Sequence, residues 1–173
     1  MSFNELILPH FLIADFYKNV LIETPIVQTT DIKQVEATQP IALNFLGENR
    51  KQVSIIVIDN NAVYIDDEKL NLLTKLLAAC KLTLADVAIV NLYNKNITYN
   101  QIKQELNPQF LLLMGIDIKQ FALPIIFPEY KIQHYNNCQI LIAKGLQQFI
   151  GETQDVKMEK SKLWLCLKTI FGV

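Results

Sequence analysis

The chain has 173 residues, 51% hydrophobic and 19% charged, with 16 Lys and Arg against 17 Asp and Glu for a net charge of −1. That length suits one domain able to bury roughly 70% of its unfolded surface, and the composition excludes a disordered chain. There is no basic surplus of the kind that grips a phosphate backbone, so direct nucleic-acid binding is expected to be weak or absent.

In chain order, residues 3–22 form a dense apolar segment broken at Pro9, read as a short helix around 10–15 and an extended piece near 16–22. Its aromatics Phe11, Phe16 and Tyr17 fit a core or a docking segment. The start is acidic and no small-residue cleavage site follows. No apolar run reaches the 18 or so residues of a membrane span, so a cytoplasmic protein is expected. Residues 24–40 are polar, lack periodicity and end in Pro40, which marks a loop or linker. The expected division is therefore an N-terminal segment, 1–40, and an α/β domain, 41–173.

From residue 52 strands and helices alternate. QVSIIVID (52–59) is a short β-branched run, the mark of a strand covered on both faces. Residues 66–81 place Leu70, Leu73, Leu77 and Cys80 on one helical face, behind an acidic first turn. TLAD (83–86) and TYNQ (98–101) are capping-box patterns. The first leads into strand 87–92, the second into a helix ending near 106. Strand 109–115, a short helix IDIKQFA and an extended PIIFPEYKI follow. The turn Asn136-Asn137 precedes strand CQILIA (138–143), and a helix over 154–171 closes the chain. This order predicts a mostly parallel central sheet of about four to five strands with helices on both sides.

Few side chains suggest chemistry. Cys80, Cys138 and Cys166 are far apart and form no C-x-x-C pair, so no metal or cofactor is expected. Asp59, at the carboxyl end of the first strand, is a candidate base or an Asx-turn residue with Asn60 and Asn61. Asn91 ends the next strand. His134 lies on an apolar–polar alternation and reads as a solvated imidazole. Trp164 is flanked at i−4 and i+4 by Lys160 and Lys168, beside a core stripe of Leu163, Leu167 and Ile170. It reads as a half-buried core residue or as a contact anchor.

The run YIDDEKLNLLTKLLAACKLTLADVAIVNL, the strand QELNPQFLLLMG and the pairing of CQILIAKGL with KSKLWLCLK resemble, in order, the uracil-DNA glycosylases. The likeness covers roughly residues 52–171. It implies a three-layer α/β/α sandwich, a base-reading amide at Asn91 and a water-activating carboxylate at Asp59. The family's Gly-Pro loop is absent from IDNNAVY, and AKGL (143–146) has no imidazole where the family carries a His-Pro-Ser turn. The chain more closely resembles the psi subunit of bacterial DNA polymerase III, a glycosylase-like layout without the catalytic stations. The shared pattern runs through VIDNNAVYIDDEKLNLLTKLL, LTLADVAIVNL, AKGL and KSKLW. That resemblance implies a non-enzymatic replication accessory protein whose partners are a clamp loader or another replisome subunit. A divergent glycosylase using Asp59 and Asn91 is the alternative, and a nucleotide- or single-strand-binding domain without chemistry is a third. Trp164, Lys160, Lys168, Phe11, Phe16 and Tyr17 are the candidate partner contacts.

Overall fold

The computed structural model describes residues 43–119, 121–123 and 128–173. The expectations for the helix and extended piece of residues 10–22, the loop 24–40 and residues 124–127 of PIIFPEYKI fall outside these. Within the described part of that piece Glu129 and Tyr130 form a turn, Tyr130 at positive φ (56°), where an extended run was expected. The elements run β1 (Leu46–Gly47), β2 (Val53–Val57), α1 (Asp67–Ala79), β3 (Val87–Asn91), α2 (Tyr99–Leu106), β4 (Phe110–Met114), β5 (Gln133–Tyr135), β6 (Cys138–Ala143) and α3 (Gln154–Phe171). Short 3-10 turns at Leu84–Asp86 and Leu146–Phe149 lead into β3 and follow β6.

The strands form one six-stranded mixed sheet in the order β1-β3-β2-β4-β6-β5. Its four central strands are parallel, with Val57 opposite Asn91, Ile55 opposite Leu112 and Leu112 opposite Leu141. Both edges are antiparallel, β1 on β3 and β5 on β6. The expectation of four to five mostly parallel strands thus becomes a parallel centre with two antiparallel margins. Those margins carry two and three residues, too few for alternation to register in sequence. The β5–β6 hairpin turns on Asn136 and Asn137, both at positive φ (48° and 56°), as a two-residue primed turn requires.

The central strands read as continuous apolar runs because both faces are covered. Val53, Ile55 and Val57 of β2 join Leu73 and Leu77 of α1 and Leu163 and Leu167 of α3 on one face. Ile56 joins Tyr99, Ile102 and Leu106 of α2, with Phe121, on the other. Both capping boxes form: the Thr83 amide donates to Asp86 Oδ2 at 2.8 Å and the Thr98 amide to Gln101 Oε1 at 2.8 Å. Thr153 caps α3, accepting from the Val156 amide at 3.4 Å.

One expected helix differs. Around Asp117 the described residues Ile118, Lys119, Phe121 and Ala122 form turns where a short helix was expected; the Asp117 side chain accepts the Lys119 amide at 3.0 Å, as a helix cap does. The Phe121 amide donates to the Asp117 carbonyl at 3.2 Å, one helical turn that stops where Ala122 enters positive φ, 54°.

Candidate functional site

In an open α/β sheet, ligands bind where neighbouring strands send their connections to opposite faces, at the carboxyl ends. Here β2 leaves toward the α1 face while β4 leads on past Phe121 on the α2 side. The loops after β2, β3, β4 and β6 meet along this edge, and Asp59, Asn91, Gly115 and Lys144 all stand on it.

Asp59 and Asn91 lie 32 residues apart in sequence and adjoin in space, because β2 and β3 pair in register. Asn91 Oδ1 accepts from the Asp59 and Tyr93 amides, each at 3.0 Å. Its Nδ2 donates to the carbonyls of Asp59 (2.8 Å), Ala62 (2.9 Å) and Val63 (3.3 Å). Every donor and acceptor of this carboxamide is occupied by the chain's own backbone.

Asp59 is similarly committed. Its Oδ1 accepts from Lys69 Nζ at 2.9 Å and from the Asn61 amide at 3.1 Å, and its Oδ2 from the Asp66 amide at 2.8 Å. Asp59 is 1% exposed and Asn91 3%. Burial by itself would raise the Asp59 pKa. The Asp66 amide, Lys69 and the Asn61 amide together outweigh it, so the carboxyl ends below its ordinary value. A carboxylate held this low and fully bonded is a poor proton acceptor.

Lys69 is the member that sequence reasoning missed. It sits at i−4 of Leu73 and i−8 of Leu77, on the buried stripe of α1, and all three are buried. A lysine on an apolar stripe was the available signal, since a buried ammonium needs a partner.

Beside this latch the edge is shallow. Ile58, Leu92, Lys95, Asn96, Ile97 and Ile116 are among the residues lining a cavity of about 50 Å³, against roughly 300 Å³ and upward for sites that enclose a small molecule.

At the far end of the edge, the AKGL turn makes close packing and an ion pair. A Cβ on Gly115 would lie 2.8 Å from the Gly145 Cα, so the loops after β4 and β6 touch backbone to backbone. Lys144 Nζ donates to Glu159 Oε1 of α3 at 3.2 Å, and Lys162 Nζ to the same oxygen at 2.8 Å. Lys162 foremost, then the Tyr130 hydroxyl beside it and Lys144, hold Glu159 down at about 2. Burial, then the neighbouring carboxylate, raises the Tyr130 phenol.

The remaining candidates are dispersed. Trp164 is half-buried and packs against the α1–α3 core. Lys160 Nζ donates to the Gly151 carbonyl at 3.2 Å, while Lys168 is exposed in the last turn of α3. His134 is exposed on β5. Phe11, Phe16 and Tyr17 lie outside the described residues. Cys80 and Cys138 are buried and Cys166 half-buried, all free; burial raises each thiol, that of Cys138 to about 11. Among the described residues no cluster of three His, Cys, Asp or Glu could hold a metal ion. No helix among them is long and apolar enough to cross a membrane. In comparison with known proteins, no family model matches the chain and no curated sequence matches it significantly.

Proposed function

We propose that this chain is a non-enzymatic accessory protein of DNA replication, acting in the cytoplasm by binding replisome proteins as the psi subunit of DNA polymerase III does. In this reading the fold is a three-layer α/β/α sandwich of the uracil-DNA glycosylase type. Four parallel strands in the order β3-β2-β4-β6 support it, with α1 and α3 on one face and α2 on the other. One observation carries the functional reading. The two positions that match glycosylase chemistry, Asp59 and Asn91, are buried and bonded to each other and to their own loops. A base reader must offer its amide to a flipped base, and a general base must reach water. Neither side chain has a free group to offer.

The direct test is uracil excision from single- and double-stranded DNA at high protein concentration. No release is expected; release that disappears in a folded Asp59→Asn variant would overturn the accessory reading. Trp164→Ala probes the partner side. It should weaken binding to a co-purified replisome partner by about 2 kcal/mol or more while the domain stays folded. A stability loss of about 3–5 kcal/mol would instead return Trp164 to the core.

A further inference from the structure

At the amino ends of β2, β4 and β6, opposite the edge that holds Asp59 and Asn91, a basin of about 540 Å³ opens to solvent. That volume lies within the roughly 300–1,000 Å³ of sites that take a small molecule. Asn and Gln make up 27 of the chain's 173 residues, yet six of the ten lining the basin: Gln52, Asn107, Gln109, Asn136, Asn137 and Gln139. No carboxylate is among the ten. The backbone sets three of the six in a row. The Gln109 amide donates to the Gln52 carbonyl at 2.9 Å and the Gln139 amide to the Gln109 carbonyl at 2.8 Å, so these glutamines stand on neighbouring strands about 4.8 Å apart. None of the six side chains is hydrogen-bonded to a described residue, unlike the carboxamides of Asn49, Asn91 and Gln101. Gln52 also breaks a local rule. It holds φ 54°, a left-handed backbone uncommon outside Gly, Asn and Asp, and one that glycine takes freely. Asn107, Asn136 and Asn137 share that conformation as residues suited to it. A glutamine is not, and such breaks gather at functional sites.

We propose that this basin binds a nucleoside monophosphate, its base read by the row of carboxamides and its phosphate met by Lys103. A carboxamide presents a donor beside an acceptor, the pattern of a base edge, and Asn or Gln pairs with such an edge through two bonds at once. Phe110 also lines the basin, half-buried and packed on Phe171 with ring centroids 5.2 Å apart, and supplies an aromatic side chain on which a planar base can stack. Lys103 is the one lysine of the lining; its Nζ reaches the Pro108 carbonyl at 3.4 Å, a long bond that leaves it available to a phosphate. It stands in the last turn of α2, whose carbonyl end disfavours anions, so the phosphate adds little to what the base contributes. A strand with many phosphates would outrun this single cation, and a neutral sugar would leave it unmatched. The free mononucleotide fits best. The site lies away from the Asp59–Asn91 edge and is independent of the replisome reading.

The test titrates adenosine, guanosine, cytidine and uridine monophosphates into the isotope-labelled full chain and follows its amide chemical shifts, with ribose 5-phosphate and glucose as comparison ligands. At least one nucleotide should bind with a Kd below about 1 mM, and both comparison ligands about tenfold or more weaker. Gln52→Gly/Asn107→Gly removes two carboxamides where the backbone suits glycine. Thermal unfolding should therefore match the unmodified chain, while nucleotide affinity falls about tenfold or more. Gln109→Ala/Gln139→Ala, from the same row, should weaken binding likewise. Lys103→Gln should weaken the nucleotide about threefold and leave the parent nucleoside unchanged. Gln147→Ala/Gln148→Ala, exposed carboxamides after β6 at the other edge, should change nothing. A thymidine oligonucleotide separates the sources of the base and should bind no tighter than the mononucleotide. Tighter binding, lost in Gln52→Gly/Asn107→Gly, would support the base site and place its ligand in a strand. No nucleotide binding below about 1 mM, equal binding of ribose 5-phosphate, preference for glucose, or affinity unchanged in both folded carboxamide pairs would overturn the site.

Discussion

The Asn91 carboxamide ties five backbone groups of two loops, and truncating it exposes what those groups would otherwise lack. Asn91→Ala leaves the Asp59 and Tyr93 amides and the Asp59, Ala62 and Val63 carbonyls without that partner. A buried unpaired group costs about 1–3 kcal/mol, so a loss of about 3 kcal/mol or more is expected, measured by denaturant unfolding. Asp59→Ala should cost about 3–5 kcal/mol, because it strands the Lys69 ammonium; adding Lys69→Met should recover much of that. The pH dependence follows from the sign of the shift. The folded pKa of Asp59 lies below its unfolded value of 3.8, so its stabilisation is present above that value and lost as pH falls through the folded one. Acid unfolding below about pH 4 should therefore be blunted in Asp59→Ala/Lys69→Met. Both carboxyl-edge residues were legible in sequence as strand ends followed by turn chemistry. Their bonding to each other was not, since only the pairing of β2 with β3 brings residues 32 apart into contact. Lys69 was legible only as an anomaly on an apolar stripe.

At the scale of elements, legibility tracked length. The buried strands and the 18-residue α3 were plain from apolar runs and helical spacing, and α2 from its capping pattern. The two-residue β1 was invisible, and the segment after Asp117 misled because its single helical turn stops where Ala122 enters positive φ. The contact between the β4 and β6 loops was equally hidden, as it depends on two glycines 30 residues apart. It makes an asymmetric prediction. Gly115 sits at φ +69°, and its Cβ would meet Gly145 backbone at 2.8 Å, with no flexible side chain to yield. Gly145 has φ −59°, and its Cβ would lie 3.7 Å from the Gly115 Cα, ordinary contact. Gly115→Ala should thus destabilise by about 1–3 kcal/mol, and Gly145→Ala by well under half of that. Equal losses in thermal unfolding would mean that the two loops do not meet as described.

At the scale of the molecule, an almost even charge balance says little about any one surface. The carboxyl edge carries Asp66, Asp67 and Glu68 together with Lys95 and Lys144. At the amino edge, an open basin of about 540 Å³ is lined by Lys103, His134 and carboxamides such as Gln52, Asn107 and Gln139, with no carboxylate among its lining residues. A phosphate chain that associates at all should therefore choose the amino edge, and weakly. One lysine can neutralise only about one phosphate, so the salt dependence should be shallow. Affinity for single-stranded DNA near physiological salt should stay around 10⁻⁴ M or weaker, the non-specific range. Lys103→Gln should reduce what binding there is, whereas Glu68→Gln, at the opposite edge, should not. Fluorescence anisotropy with a labelled oligonucleotide over a salt series measures both. Submicromolar binding that survives Lys103→Gln would place a nucleic-acid site elsewhere on the chain and favour a single-strand-binding domain over a protein-binding accessory subunit.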